Sequence, residues 1–210
     1  MTSFGPAGYK KYGEKFLKSW LDHTDIPLVV YVEEKDRYPK GPEYRDLWQI
    51  PHCKDWVDAT QPVADFRFNI HTFVRKAFVQ IQELKENAGI VCWIDADVVI
   101  REHVTSKLFK DKIGDAYIAY MGRVDYHPCT SFIGFNCAHP DNETFLRAYE
   151  AIYMAGQVMK LQEWHDAYVF DYVRKATGVS SVNLSPWGKP IENVFDKVFP
   201  GMHHKKGALK

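Results

Sequence analysis

The stretch Gly89-Ile90-Val91-Cys92-Trp93-Ile94-Asp95-Ala96-Asp97 decides the fold of this chain. Its apolar run, Ile90 to Ile94, has no polar face, which is typical of a strand buried inside a parallel sheet. Two carboxylates then follow with one residue between them, and residues two apart in an extended chain point to the same face. The stretch therefore predicts a core strand that places Asp95 and Asp97 side by side where it leaves the sheet.

These two carboxylates form a candidate metal site. Ligands of open α/β sheets bind at the carboxyl ends of the strands. Crowded carboxylates repel each other unless a cation or a shared proton offsets the repulsion. A hard divalent cation that also contacts phosphate oxygens suits such a pair. The alternative is that one Asp caps the following turn and the other is solvated, and the stretch alone leaves both possibilities open.

The composition indicates a globular domain. The 210 residues are enough for one domain with a sizeable core, and we expect residues 1–210 to form a single domain. Hydrophobic residues make up 46% of the chain, which excludes the disordered class. Lys plus Arg and Asp plus Glu number 27 each, so the charge gives no support for nucleic-acid binding. The sequence has no apolar stretch of about 18 residues, which predicts that no segment spans a membrane.

The cysteines and the first residues predict a cytoplasmic location. The four cysteines, Cys53, Cys92, Cys129 and Cys137, show no CxxC spacing. They indicate free thiols in a reducing cytoplasm and argue against a zinc site. The residues from Met1 to Gly8 lack the charged and apolar regions of a signal peptide.

The first part of the chain predicts a βαβ unit. Thr2 to Phe4 is expected to end a strand, Tyr9 to His23 to form an amphipathic helix, and Leu28 to Val32 to form a second buried strand. This order predicts an α/β fold with a mostly parallel central sheet flanked by helices. The proline-rich segment from Asp36 to Pro62 is expected to be a long connection with one short strand, near Tyr44 to Gln49.

The remaining elements predict the rest of the same domain. A long helix over Asn69 to Asn87 carries an apolar face, and Asn87-Ala88-Gly89 predicts a glycine-type C-cap. The later expectations are a short helix near 105–109, strands over 116–121 and 132–136, helices over 141–155 and 163–175, and a strand over 178–183. The tail from residue 186 to 210 is expected to pack onto the body through Phe195, Val198 and Phe199.

Several segments of the sequence resemble a known family of enzymes. Asp95-Ala96-Asp97, after an apolar strand and within this order of elements, is similar to the DxD motif of GT-A-fold glycosyltransferases. Those enzymes transfer a sugar from a nucleotide-sugar donor and hold a divalent metal with the motif. Three further segments, Pro128 to Asn136, Glu163 to Asp166 and His203 to Gly207, extend the resemblance toward the glycogenin-like transferases. The likeness covers most of the chain, roughly Thr2 to Lys210.

The resemblance implies roles for these segments. Asp95, Asp97 and His204 would hold Mn²⁺ or Mg²⁺, with His204 preferred over His203 because it begins a His-x-x-Gly pattern. Asp166 and Glu163 would lie near the anomeric carbon or the acceptor hydroxyl, in either an inverting or a retaining reaction. The residues implied in binding the nucleotide sugar are Thr2, Phe4, Tyr9, Glu33, Arg67, Lys76, Ala96, Thr130, Ser131, Lys206 and Gly207.

The expected activity is the transfer of a hexose from a UDP-sugar, with UDP-glucose or UDP-galactose as the first expectations, to a glycan, a protein or a small molecule. Ordinary core packing remains an alternative for Phe4 and Tyr9, and a solvated surface for Arg67 and Lys76. Two other functions stay open. One is a non-catalytic module that binds nucleotide sugars. The other is a nucleotidyltransferase, although Gly5-Pro6-Ala7-Gly8 is a poor version of the glycine-rich loop of that class.

Overall fold

The computed structural model describes residues 1–34, 38–190 and 192–205. Its first sheet is three-stranded and parallel, in the order β1 (Thr2–Phe4), β2 (Val29–Val32) and β3 (Glu43–Asp46). Helix α2 (Glu14–His23) connects β1 to β2, after a short helix α1 (Pro6–Gly8) and one π-helical turn. The predicted βαβ unit is therefore confirmed.

A second sheet contains the decisive strand. Its order is β4 (Ile90–Ile94), β7 (Tyr126–Asn136), β6 (Ile118–Arg123) and β8 (Ser181–Asn183). Strand β7 runs antiparallel to both β4 and β6, whereas β8 runs parallel to β6, so this sheet is mixed. The predicted α/β fold with flanking helices is confirmed, but the parallel arrangement is complete only in the first sheet.

Strand β4 lies at the junction of the two sheets. The Met1 amino group donates to Cys92 O at 2.7 Å, and Ile94 N donates to Met1 O at 3.1 Å, which is the pattern of a parallel pair. On its other side β4 pairs with the antiparallel strand β7. An apolar run predicts that both faces of a strand are buried, but it does not predict whether the neighbouring strands run parallel or antiparallel.

Helices cover both faces of β4. Val91 and Trp93 belong to a core that includes α4 (Ile70–Glu86), α6 (Asp141–Met154) and α7 (Asp166–Thr177). Ile94 belongs to the opposite core, with α2, α5 (Ser106–Ile113) and α8 (Val194–Val198). Alternate residues of β4 therefore hold two different layers of helices in place.

Several predicted boundaries differ from the structure. Helix α4 begins directly after Asn69, close to the predicted start, and the Asn69 side chain caps it by accepting from Thr72 N. The prediction of a glycine-type C-cap at the other end of α4 is wrong. Asn87 itself ends the helix in an extended conformation, and its side-chain amide donates to Glu83 O at 2.9 Å. The connection predicted over Asp36 to Pro62 contains an additional helix, α3 (Cys53–Asp58).

The segment after residue 186 forms helix α8 and strand β9 (Met202–His204), which pairs antiparallel with β5 (Val98–Ile100). Phe195, Val198 and Phe199 are buried, so the predicted packing of this segment is confirmed. Among the described residues no helix is long and apolar enough to cross a membrane.

Candidate active site

The candidate site forms where β4 ends and β5 begins. Asp95, Ala96 and Asp97 make the connection between these two strands. Strand β9 pairs with β5 in the register Val98↔His204, which brings His204 beside that connection. One ligand atom from each of Asp95, Asp97 and His204 lies within 4.8 Å of the others. The structure thus brings together the three residues that the sequence suggested as metal ligands.

The environment of His204 fits a cation. The residue is only 5% exposed, and neither ring nitrogen has a hydrogen-bond partner among the described residues. Its Nε2 nevertheless lies 3.1 Å from Asp97 Oδ1, in a contact that lacks hydrogen-bond geometry. A buried polar atom without a hydrogen bond is costly, and a cation between carboxylate and imidazole would satisfy it. A mixed set of carboxylate and imidazole donors suits Mn²⁺ better than Mg²⁺.

Lys76 joins the two acidic parts of the site. It is buried on α4, where its Nζ donates to Thr130 O at 2.6 Å and to Asp95 Oδ1 at 3.0 Å. The same nitrogen lies 2.8 Å from Asp166 Oδ2. Burial acts to lower the pKa of Lys76, but the carboxylates of Asp166 and Asp95 outweigh it and hold the pKa above its usual value.

Asp166 is held in its ionised form. It is the first residue of α7, and it accepts a hydrogen bond of 2.6 Å from Thr130 Oγ1. Burial favours the neutral acid, yet Lys76 and Thr130 stabilise the charge and keep the pKa of Asp166 below its usual value. A carboxylate with a lowered pKa is a poor proton acceptor. The geometry therefore favours an electrostatic role over that of a general base.

Trp93 is a contributor that sequence reasoning missed. Its Nε1 donates to Asp95 Oδ1 at 2.7 Å, and Asp95 N donates to Ser131 O at 3.0 Å. The signal was present, because Trp93 stands two residues before Asp95 and an extended chain places both on one face. Trp93, Lys76 and Ser131 together hold Asp95 in one orientation.

Two cavities meet at this centre. The N-terminal cavity, of about 380 Å³, is lined by Phe4, Gly8, Arg75 and Lys76 among others. The histidine cavity, of about 820 Å³, is lined by His127, His165 and His204 among others. Both cavities are bordered by Phe73, Asp95, Thr130 and Asp166. Two ligands bound in these cavities would therefore meet at the acidic centre.

The residues predicted to bind the nucleotide are only partly assembled around the N-terminal cavity. Phe4, Lys76, Ala96 and Thr130 line it. Tyr9 packs against Phe4 with ring centroids 5.7 Å apart. Glu33 forms an ion pair of 2.9 Å with Arg75, a cavity residue that sequence reasoning missed.

Other predicted residues lie elsewhere. Thr2 is 0% exposed, so it faces the core and not a cavity. Arg67 is exposed, pairs with Asp65 at 2.6 Å and lines neither cavity. Ser131 lines the histidine cavity, where its Oγ contacts Cys129 Sγ at 3.0 Å, but it lies within strand β7 and not in the predicted turn. Lys206 and Gly207 lie outside the described residues.

Glu163 lies in a different environment from the one predicted. It precedes α7 instead of starting it, and His165 caps that helix. Glu163 Oε2 accepts from His165 Nε2 at 2.7 Å and lies 3.4 Å from His127 Nε2. His127, on β7, is distant in sequence from Glu163 and carries no motif that could have revealed the contact.

Comparisons with solved structures identify the fold. Mouse xyloside xylosyltransferase 1 in its apo form is 10% identical, with a TM-score of 0.57 over 87% of this chain and 83% of its own. The galactosyltransferase LgtC, in complex with donor and acceptor sugar analogues, is 14% identical, with a TM-score of 0.53 over 99% of this chain and 86% of its own. The bifunctional glycosyltransferase WbbM is 13% identical, with a TM-score of 0.59 over 98% of this chain but only 45% of its own.

These similarities show that the chain has the GT-A fold of glycosyltransferases, as its sequence predicts. No protein-family model matches the sequence, and no curated protein matches it significantly. The residues of the site, and not the similarity, must therefore carry any statement about chemistry.

Proposed function

We propose that this chain is a metal-dependent glycosyltransferase that moves a hexose from a nucleotide-sugar donor to an acceptor. The observation that carries the proposal is the convergence of Asp95, Asp97 and His204 at the junction of two cavities. A binding module would need neither a buried imidazole without a hydrogen bond nor a second cavity beside it. The GT-A fold supports the same reading at the level of architecture.

Asp95, Asp97 and His204 would hold the divalent ion, Mn²⁺ or Mg²⁺. When bound, the ion neutralises the negative charge that develops on a diphosphate as the sugar leaves. Asp97 and His204 are the more buried ligands. Asp95 is turned partly toward Lys76 and Trp93, and it is fixed by them before any ligand arrives.

The N-terminal cavity is the proposed donor site. Arg75 lines this cavity in an ion pair with Glu33, and it is the cation proposed to bind the diphosphate, because Lys76 is already paired with Asp95 and Asp166. Phe4 is 7% exposed and packs in the core, so it is proposed to form the floor beneath the base. We propose a UDP-sugar, with UDP-glucose or UDP-galactose as the first candidates. The ring of the sugar would then reach the border shared by both cavities, beside Thr130 and Asp166.

Asp166 is proposed to stabilise positive charge on the sugar. Its low pKa and its bonds to Lys76 and Thr130 keep it ionised as that charge develops. The histidine cavity is the proposed acceptor site. Glu163 does not line it but contacts the lining residues His127 and His165, and it is proposed to position them beside the acceptor. We propose that residues 1–210 act as one domain. The four free cysteines support a reducing, cytoplasmic location.

The experiment that tests the proposal measures nucleoside diphosphate release from a panel of UDP- and GDP-sugars with Mn²⁺ and then with EDTA. Slow release from one donor that is lost with EDTA is the expected result. Tight binding of UDP without release from any donor would replace the transferase by a binding module. Release of pyrophosphate from a nucleoside triphosphate and a sugar phosphate would replace it by a nucleotidyltransferase.

A further inference from the structure

A second cluster of potential metal ligands lies beside the histidine cavity, which two of its members, His127 and His165, line. It consists of His127 on β7, and of Glu163 and His165 in the segment that leads into α7. One ligand atom from each residue lies within 4.8 Å of the others. None of the three belongs to the group formed by Asp95, Asp97 and His204.

The spacing of the ligand atoms suits a tetrahedral ion. Zinc binds imidazole nitrogen and carboxylate oxygen at roughly 2.0–2.2 Å, which separates the ligand atoms of a tetrahedral site by about 3.4 Å. His127 Nε2 already lies 3.4 Å from Glu163 Oε2. His165 Nε2 lies 2.7 Å from the same oxygen in a hydrogen bond, which a bound ion would replace. The ligand nitrogens of His127 and His165 lie within 4.8 Å of each other, so modest side-chain adjustments would complete the site.

The side chains are held in place, and two of the three are partly exposed. His165 is 4% exposed and its Nδ1 accepts from Tyr168 N at 3.4 Å, which turns Nε2 toward Glu163. The side chains of His127 and Glu163 are 23% and 19% exposed. An ion could therefore enter from the cavity and meet ligands whose orientation is already set.

Two cations near the cluster are already paired with carboxylates outside it. Arg67 is close enough to Glu163 to affect its electrostatics, but its guanidinium is paired with Asp65 at 2.6 Å. Lys175 is paired with Asp171 at 2.7 Å.

We propose that His127, Glu163 and His165 form a second metal site that takes Zn²⁺. Two imidazoles and one carboxylate are a ligand set that zinc accepts, whereas the carboxylate-rich first site suits Mn²⁺ or Mg²⁺. Zinc with three protein ligands keeps a fourth position for water, and this position would face the histidine cavity. The absence of CxxC spacing argued against zinc held by cysteines and does not bear on imidazole ligands.

The test counts zinc ions bound by the full chain. In an Asp97→Asn background, which weakens the first site, we expect one Zn²⁺ per chain by calorimetry. Co²⁺ in its place should give the intense visible absorption of a tetrahedral ion. His127→Asn and Glu163→Gln, added separately, should each weaken binding more than about 100-fold, since even outer partners of a ligand change metal affinity about 10–100-fold.

The matched control is His139→Asn, which removes a partly buried histidine that lies 3.6 Å from Asp141, outside the cluster. Zinc affinity should stay unchanged in it. The cluster is intact in the Asp97→Asn protein, so a lack of zinc binding there would overturn the proposal. So would zinc binding that survives both His127→Asn and Glu163→Gln in folded protein. The readout is metal binding, so its failure is distinct from a failure of sugar transfer.

Discussion

Lys76 Nζ lies 2.8 Å from Asp166 Oδ2, and this contact joins the middle of α4 to the first residue of α7. The side chains of the two residues are only 9% and 11% exposed. Because the same nitrogen also reaches Asp95, one buried ammonium group compensates carboxylates from two different elements. The packing of α4 and α7 is therefore tied to the orientation of the candidate metal ligands.

Lys76→Met should destabilise the protein strongly. The change leaves two buried carboxylates without their partner, and removal of one partner from a buried pair costs about 3–5 kcal/mol of unfolding free energy. Urea denaturation measures the effect. Lys54→Met is the control, because Lys54 is exposed and pairs only with Asp58 on the same helix, so its effect should stay within about 0.5 kcal/mol. Equal losses of unfolding free energy in the two variants would contradict the role of Lys76 as the partner of two buried carboxylates.

Asp166→Asn should change how stability depends on pH. The pKa of Asp166 is lower in the folded state than its usual value of about 3.9. Its contribution is therefore fully present above that usual value and is lost as the pH falls through the lower folded pKa. Melting temperatures from neutral pH to pH 3 should show a gap between wild type and variant that narrows only below about pH 4. A gap that stayed constant would contradict the low pKa.

Asp97→Ala should abolish metal-dependent turnover and leave the fold intact. A ligand that binds only the folded state at 100 times its Kd adds about 2.7 kcal/mol of stability. Mn²⁺ should therefore raise the melting temperature of the wild type and not that of the variant, while donor release falls at least about 100-fold. Asp111→Ala, which removes an exposed carboxylate paired with Lys107, is the control and should behave as the wild type. Full activity in Asp97→Ala would contradict the assignment of Asp97 as a metal ligand.

Arg75→Met should weaken the binding of UDP, whereas Arg67→Met should leave it unchanged. Arg75 lines the N-terminal cavity and Arg67 does not. A charge-assisted hydrogen bond contributes about 1.5–3 kcal/mol, so loss of Arg75 should weaken UDP binding at least about tenfold. Calorimetry with UDP measures both variants. A loss of affinity in Arg67→Met with none in Arg75→Met would move the nucleotide out of this cavity.

The sequence was most informative where a motif lay within one element. The apolar run before Asp95 predicts β4, and the two Asp residues predict a ligand pair at its end. The metal triad required His204, whose position depends on the pairing of β9 with β5. The resemblance to a family indicated His204 as a ligand through its His-x-x-Gly pattern, but nothing in the sequence indicated that pairing.

The contacts that sequence reasoning missed are those between distant elements. Helix α3 was hidden in a proline-rich connection, where its few apolar residues show too little periodicity to separate it from a loop. Lys76 was a candidate, yet its bridge to Asp166 exists only because α4 and α7 pack together. His127 and His165 carry no spacing signal at all, because β7 and the start of α7 meet in space alone.

The pairing of β9 with β5 has a consequence for how the site comes apart. The two strands share only three residue pairs, and the Lys205 amide bonds to Asp97 O at 3.2 Å just beside them. So small a sheet can fray without unfolding of the two larger ones, and fraying withdraws His204 from Asp97. Cation binding and the docking of β9 are then coupled, and each favours the other. Amide hydrogen exchange at Lys205 should therefore slow when the cation is added.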